Sequence, residues 1–411
     1  MDNKTGPGEL EIDEDEGTES MTVAVPGRGF TKFTINTTKI QEKAQATRAV
    51  YEHAKAMGAA FGPYVQTCFD AFLPMVNFQY SADVRSTSAQ TLSAVFGAAC
   101  AHGEHVGMDI PAKYLPLLAD TISRRIARED TSDMEALWAL ADSLSEIYYI
   151  VYNFRGSPLG ADILANFSLK NAQQSVERCM RAMVACLERR GKLTKVLSGS
   201  LTGDDEREEY QAMLRSEENL LTPLVDSIGY TLKFFRQSFL PIFEKYVVPV
   251  LGPALATNTD LRASVSAMCL FDDVVEHCGA EAAAKYSPKL VQGVVVAFQG
   301  PFEKDLVQAA VYGVAQMARY APSTVMSGHI QTIVHQLLSL TSRSKEEAGD
   351  DIYLVEIAAS ALASLTLFGP FTTLKFIGHD SLMNTFLSYL PIQQDEDEAK
   401  VRLTLGPAPE D

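Results

Sequence analysis

The stretch YSPKLVQGVVVAF (Tyr286–Phe298), with Asp305 opening DLVQAAVYGV nineteen residues after Tyr286, decides the fold. Apolar residues recur at steps of three and four through both segments, which is the period of an amphipathic helix. The unit reads as a first helix opened by an aromatic residue, a short turn, an Asp, and a second helix. An Asp at that point satisfies free backbone N–H groups and suits the positive end of the helix dipole. The order returns along the chain. Tyr64 opens YVQTCFDAFLPMV and Asp83 stands nineteen residues on; Tyr114 opens YLPLLADTI and Asp133 stands nineteen residues on. Tyr246 and Asp260 keep the order over a shorter gap.

Units of roughly 40 to 47 residues built from helix pairs fit HEAT repeats better than the shorter tetratricopeptide type. The expected fold is all-α, a right-handed superhelical solenoid of about seven antiparallel helix pairs. The first unit is represented by a second helix over 39–57, and pairs follow at 61–102, 110–152, 168–236, 237–278, 281–320 and 324–368. The 168–236 unit is long enough to require an insert, expected as a solvated loop over 191–209. Residues 1–20 read as an acidic disordered segment, 21–38 as a loop or short hairpin, 39–390 as the solenoid, and 391–411 as a partial repeat with an acidic tail.

Charge narrows the partners. Of the formal −17, residues 1–20 carry −7 and 391–411 carry −4, leaving the body mildly acidic. Acidic surfaces repel phosphate backbones, so direct nucleic-acid binding is not expected, and basic protein partners are favoured. No apolar run is expected to span a membrane, which needs roughly 20 residues. The six cysteines lie in apolar helical patterns without a CxxC pair and are expected to be free thiols in a reducing compartment.

The segment Cys269–Cys278 (CLFDDVVEHC) carries the candidate site. On a helical wheel Leu261, Val265, Met268, Phe271, Val275 and Cys278 form one apolar face. Arg262, Ser266, Asp273, Glu276 and His277 fall on the other side, and Asp272 at the edge of the stripe is expected to have a hydrogen-bond partner. Two uses of that polar side stay open: a solvated face with Arg262 laddering to the next repeat, or a concave acidic surface where Asp273 and Glu276 receive Lys or Arg of a partner.

Catalytic motifs are missing. His102-Gly103-Glu104-His105 lacks the i, i+4 histidines of a zincin and a following PCxxC, and Asp273 with His277 makes two ligands, short of a metal site. Gly27-Arg28-Gly29 is followed by neither GK[ST] nor a third glycine. No enzyme activity, cofactor or metal is expected.

LFDDVVEHC (270–278), AAAKYSPKL (282–290) and QAAVYGVAQMARY (308–320) resemble the importin-β superfamily, in the C-terminal HEAT-repeat portion of its beta-3 branch. YVQTCFDAFLPMVNF with ADVRSTSA (64–89) resembles an earlier repeat of the same receptors. The resemblance implies a nuclear import receptor that binds basic nuclear cargo proteins and docks Phe-Gly nucleoporins. It also implies shuttling between cytoplasm and nucleus, with cargo release by Ran-GTP, bound mainly through an N-terminal part that this chain lacks. By position it assigns cargo binding to Asp273, Glu276 and Glu356. The alternative is a HEAT-repeat scaffold subunit of a stable multiprotein complex.

Overall fold

The computed structural model describes residues 18–25, 29–106, 109–131, 133–199, 203–257, 260–342, 348–369, 379–390 and 392. The acidic run 11–16 and nearly all of 391–411 lie outside these. The first described element is a hairpin in which β1 (Thr18–Val25) and β2 (Gly29–Asn36) pair antiparallel, Thr18 opposite Asn36 and Val25 opposite Gly29. The strand thus begins inside the stretch assigned to the acidic segment. Asn36 ends the hairpin and caps the first helix, its side chain accepting from the Lys39 amide at 2.8 Å.

Helices make up nearly all the rest, in two compact units, Met1–Ser168 and Leu169–Asp411. The first holds α1 (Thr37–Met57), α2 (Val65–Phe72), α3 (Ala82–Val106), α4 (Ile110–Ile126), α5 (Met134–Phe154) and α6 (Pro158–Asn166). The pairs are α2–α3 and α4–α5, and the second helices α1, α3 and α5 pack side by side. The middle helix of such a row is enclosed, so its polar residues must be satisfied internally. On α3, Ser88 and Thr91 donate back to the carbonyls of Val84 (2.6 Å) and Thr87 (2.8 Å).

The second unit holds α7 (Leu169–Leu197), α8 (Asp204–Phe235), α9 (Leu240–Ile242), α10 (Val248–Leu251), α11 (Leu261–His277), α12 (Gly279–Gln299), α13 (Lys304–Tyr320), α14 (Ile330–Leu340), α15 (Ile352–Phe368) and α16 (His379–Ser388). Here α8, α11, α13 and α15 are the row of second helices, each packed on the next. The fold is an all-α solenoid of HEAT-type helix pairs, with the hairpin as an added element.

The tyrosines that mark the repeat join one first helix to the one before it. Tyr114 stacks on Phe69 at 4.1 Å between ring centroids and donates to Asp70 at 3.0 Å. Tyr246 donates to Glu177 at 3.0 Å, and Tyr286 to Glu244 at 2.8 Å. Lys113, Lys245 and Lys285, each preceding its tyrosine, lie over the rings. Tyr64 is the exception and is exposed. Of the partnering Asp residues, Asp133 and Asp260 cap α5 and α11 by accepting from Ala136 and Ala263, whereas Asp83 and Asp305 lie inside the first turns of α3 and α13.

Two expectations need correction. The 191–209 insert is mostly helix: α7 runs 29 residues and α8 runs 32, and Gly199 and Gly203 flank a short connection. The charged stretch is rich in Glu, Arg, Lys and Leu, residues that favour helix, and its polarity signals an exposed helix rather than a loop. Two stretches also pass a length-and-hydropathy test for a membrane span. Gly349–Phe368 contains α15, which is buried in the unit. The other, Asp204–Ala256, is broken at Arg236, whose φ of 47° turns the chain from α8 into the next pair. All six cysteines are free, Cys269 partly exposed and the others buried.

Candidate functional site

The α11 helix is positioned from its first residue. Asp260 caps it and also takes Arg190 of α7 at 2.6 Å, while Arg190 reaches Glu218 of α8 at 3.1 Å. The expected single apolar face is too narrow. Ala263, Ala267, Leu270 and Val274 are buried along with Met268, Phe271, Val275 and Cys278, and Ser266 is buried too. A second helix in a solenoid touches its own partner and both neighbouring second helices, so three sides are covered. The strip left over is Arg262, Val265, Cys269, Asp273 and Glu276, at steps of three, four, four and three.

Arg262, Val265, Cys269 and Asp273 of that strip floor a groove of about 450 Å³ walled by α8, α13 and α15, with Glu276 next along the helix. Asp273 lies in it 3.1 Å from the Lys233 ammonium of α8. Glu276 accepts from the Tyr312 hydroxyl of α13 at 2.7 Å, with His277 Nε2 at 3.8 Å. Arg262 makes the laddering contact, to Asp305 at 2.5 Å. Tyr230, Tyr312 and Tyr353 supply aromatic walls.

The two adjacent aspartates lie against different neighbours. Asp273 sits against Gly229 of α8, where a Cβ would stand 2.7 Å from Oδ2. Asp272 sits against Gly313 of α13, where a Cβ would stand 2.5 Å from Oδ1. Asp272 is only 1% exposed and its Oδ1 has no hydrogen-bond partner, contrary to expectation. Gly313 explains this: without a side chain there, α13 comes close enough to shut out a donor. Burial holds the Asp272 carboxyl well above its ordinary range, and the charges of Asp273 and Glu276 push the same way. Burial also raises Asp273, against the pull of Lys233 and His277. Burial and the Glu276 charge raise the Tyr312 phenol.

Of the three residues assigned by sequence, Asp273 lines the groove, and Glu276 follows it on the same strip, tied to the wall residue Tyr312. Glu356 does not reach it: its side chain is fully buried in α15, although its neighbours Tyr353 and Ile357 line the wall. Sequence reasoning missed Lys233, Tyr312 and both glycines. A glycine inside an otherwise regular helix marks a close approach, and that signal was there at 229 and 313. His102, from the other candidate cluster, has its Nδ1 3.0 Å from the Ala59 carbonyl in unit 1. The side chain of His105 lies outside the described residues, and among those described no group of three or more His, Cys, Asp or Glu is placed to hold a metal.

Fold and groove together define a HEAT-type repeat protein with an acidic furrow across its stacked second helices. No protein-family model matches the chain. It is 22% identical over 393 residues to a probable importin-5 homologue of Dictyostelium discoideum, a match covering 91% of this chain and 34% of that protein. Among solved structures it is similar to the karyopherin Kap121p. The form bound to Ste12p matches with a TM-score of 0.69 at 17% identity, over 93% of this chain and 32% of Kap121p. The form bound to the SUMO protease Ulp1p matches with a TM-score of 0.68 at 17% identity, over 94% and 32%. At such identity the structural likeness establishes the fold, a HEAT-repeat solenoid. The chain spans about a third of the length of these relatives.

Proposed function

We propose that this chain is part of a nuclear import receptor of the importin-β superfamily, in its importin beta-3 branch, with a binding rather than a catalytic role. Its groove over Asp273, with Glu276 next on the same strip, receives Lys or Arg side chains of basic nuclear cargo. The observation that carries this reading is the acidic excess there: Asp226, Asp273 and Asp305 line the groove with two bases, Lys233 and Arg262, while Asp272, buried against α13, adds no exposed charge. Arg262 is held by Asp305, and the tyrosine walls suit the aliphatic stem of a basic side chain. Glu356, buried beneath the wall, supports the helix row and makes no direct contact with cargo. The likeness to Kap121p, solved with Ste12p, Nup53p, Pho4p and Ulp1p, supports protein partners of this kind. Phe-Gly nucleoporins, Ran-GTP acting mainly through a part beyond this chain, and shuttling between cytoplasm and nucleus complete the proposal.

The test is binding of a lysine-rich peptide to the whole chain. Asp273→Asn with Glu276→Gln should weaken it about tenfold, as expected for loss of charge-assisted contacts in a partly desolvated site. Raising salt should weaken wild-type binding further. Unchanged affinity in the variant, with helicity intact, would remove the groove as the cargo site. Capture of one fixed partner, without nucleoporins or any response to Ran-GTP, would favour the scaffold alternative.

A further inference from the structure

The first unit has an acidic groove of its own, about 360 Å³, between α1, α3 and α5. Tyr51 and Lys55 of α1 form one wall and Asp142 and Glu146 of α5 the other, over a floor that includes Gly97 and Ala98 of α3. Lys55 donates to the Tyr51 hydroxyl at 2.9 Å and lies over that ring. Among the described residues, neither Asp142 nor Glu146 is hydrogen-bonded or ion-paired. Asp142 is half-buried, and its carboxyl is raised by that burial against the opposing pull of Lys55. A partly desolvated carboxylate without a partner is costly, and a base brought by a ligand removes the cost. The groove over Asp273 differs here, since Lys233 already fills that role.

The rest of the surface fits the same ligand. Trp138, Asp142, Glu146 and Tyr149 follow one another at steps of four, four and three along one face of α5, with both aromatic side chains exposed. Aromatic faces receive the stem and charge of Lys or Arg, and the carboxylates receive the head. Small residues on the floor let an extended backbone lie close. The acidic wall of α5, with two carboxylates against the single Lys55 opposite, disfavours phosphate-bearing ligands.

We propose that this groove is a second docking surface, taking an extended Lys- or Arg-rich segment of a partner protein with a basic side chain pairing to Asp142 and Glu146. The proposal does not depend on the groove over Asp273.

Trp138 is the single tryptophan of the chain and stands one turn from Asp142, so it reports on this groove alone. The whole chain is titrated at low salt with a decapeptide alternating Gly and Lys, against a Gly–Ser control. The expected result is a saturable change in Trp138 emission with the lysine peptide only. Asp142→Asn with Glu146→Gln should weaken that transition about five- to tenfold, and Lys55→Met, which removes the local competing cation, should tighten it about threefold. Asp273→Asn with Glu276→Gln should leave the Trp138 transition in place while lowering calorimetric stoichiometry. A silent Trp138, or a transition indifferent to Asp142 and Glu146 in a variant that keeps its melting temperature, overturns the proposal. Loss of the calorimetric effect of Asp273 alone counts against the other groove only.

Discussion

The Asp272-Asp273 pair shows how much a single residue position decides. Both are aspartates, and one step along the helix separates a carboxylate with a lysine partner from one shut against backbone. Because the Asp272 carboxyl is raised above its unfolded value, the folded chain holds a proton that the unfolded chain has released. Stability from this group is therefore highest at low pH and falls as pH climbs from about 4 towards the folded value, then levels off. Asp272→Asn removes that loss, so its melting temperature should match wild type near pH 4 and exceed it increasingly at higher pH. A constant offset across pH would show that Asp272 is not the group responsible. Gly313→Ala should destabilise by about 1–2 kcal/mol, the overpacking at Asp272 outweighing the helix preference of Ala. Combined with Asp272→Ala, which opens the space, the Gly313→Ala penalty should largely vanish, a non-additivity readable in denaturant melts. None of this was legible from the wheel, where Asp272 is an edge residue. Its burial depends on Gly313, on a different helix, which the periodicity of α11 does not encode.

At the scale of helices, the sequence was far more legible. The Tyr-then-Asp order marked real joints at Tyr114 with Asp133 and at Tyr246 with Asp260, because a tyrosine reaching the previous first helix and an Asp capping the next second helix are local chemistry. Tyr286→Phe should therefore lower stability by about 1 kcal/mol through loss of the bond to Glu244, with little change in helicity. The Arg85–Glu129 pair is a stronger joint of another kind. Glu129 is fully enclosed and held by Arg85 on α3 and Arg125 on α4. Burial would raise its carboxyl, but the two guanidiniums together bring it below its usual range. Glu129→Ala strands Arg85 in the interior and should cost about 3–5 kcal/mol, measurable by chemical denaturation. Its loss on acidification should fall below about pH 4.5, the side on which a depressed carboxyl gives up its stabilisation. What the sequence obscured at this scale was length. A charged helix end such as that of α7 or α8 has no apolar face to announce it, and α6 is too short to show a period.

At the scale of the whole molecule, the contacts run between neighbours in order, and two compact units divide them. In such an array stability is close to a sum of repeat terms and nearest-neighbour terms, so damage stays near its source. Gly313→Ala lies at the α11–α13 contact in the second unit, and Glu129→Ala lies beside α3 in the first. Hydrogen exchange followed by mass spectrometry should separate them. Gly313→Ala should speed exchange across α11, α13 and α15 while α3 and α5 keep wild-type protection, and Glu129→Ala should do the reverse. A uniform loss of protection from either variant would mean that the chain unfolds as one cooperative body. The local outcome has a consequence for binding: each acidic groove is framed by helices of a single unit, so the variant that loosens one unit should impair its own groove and spare the other. Peptide titration of the two variants, read at Trp138 and by calorimetry, would then assign each binding event to the unit that holds it.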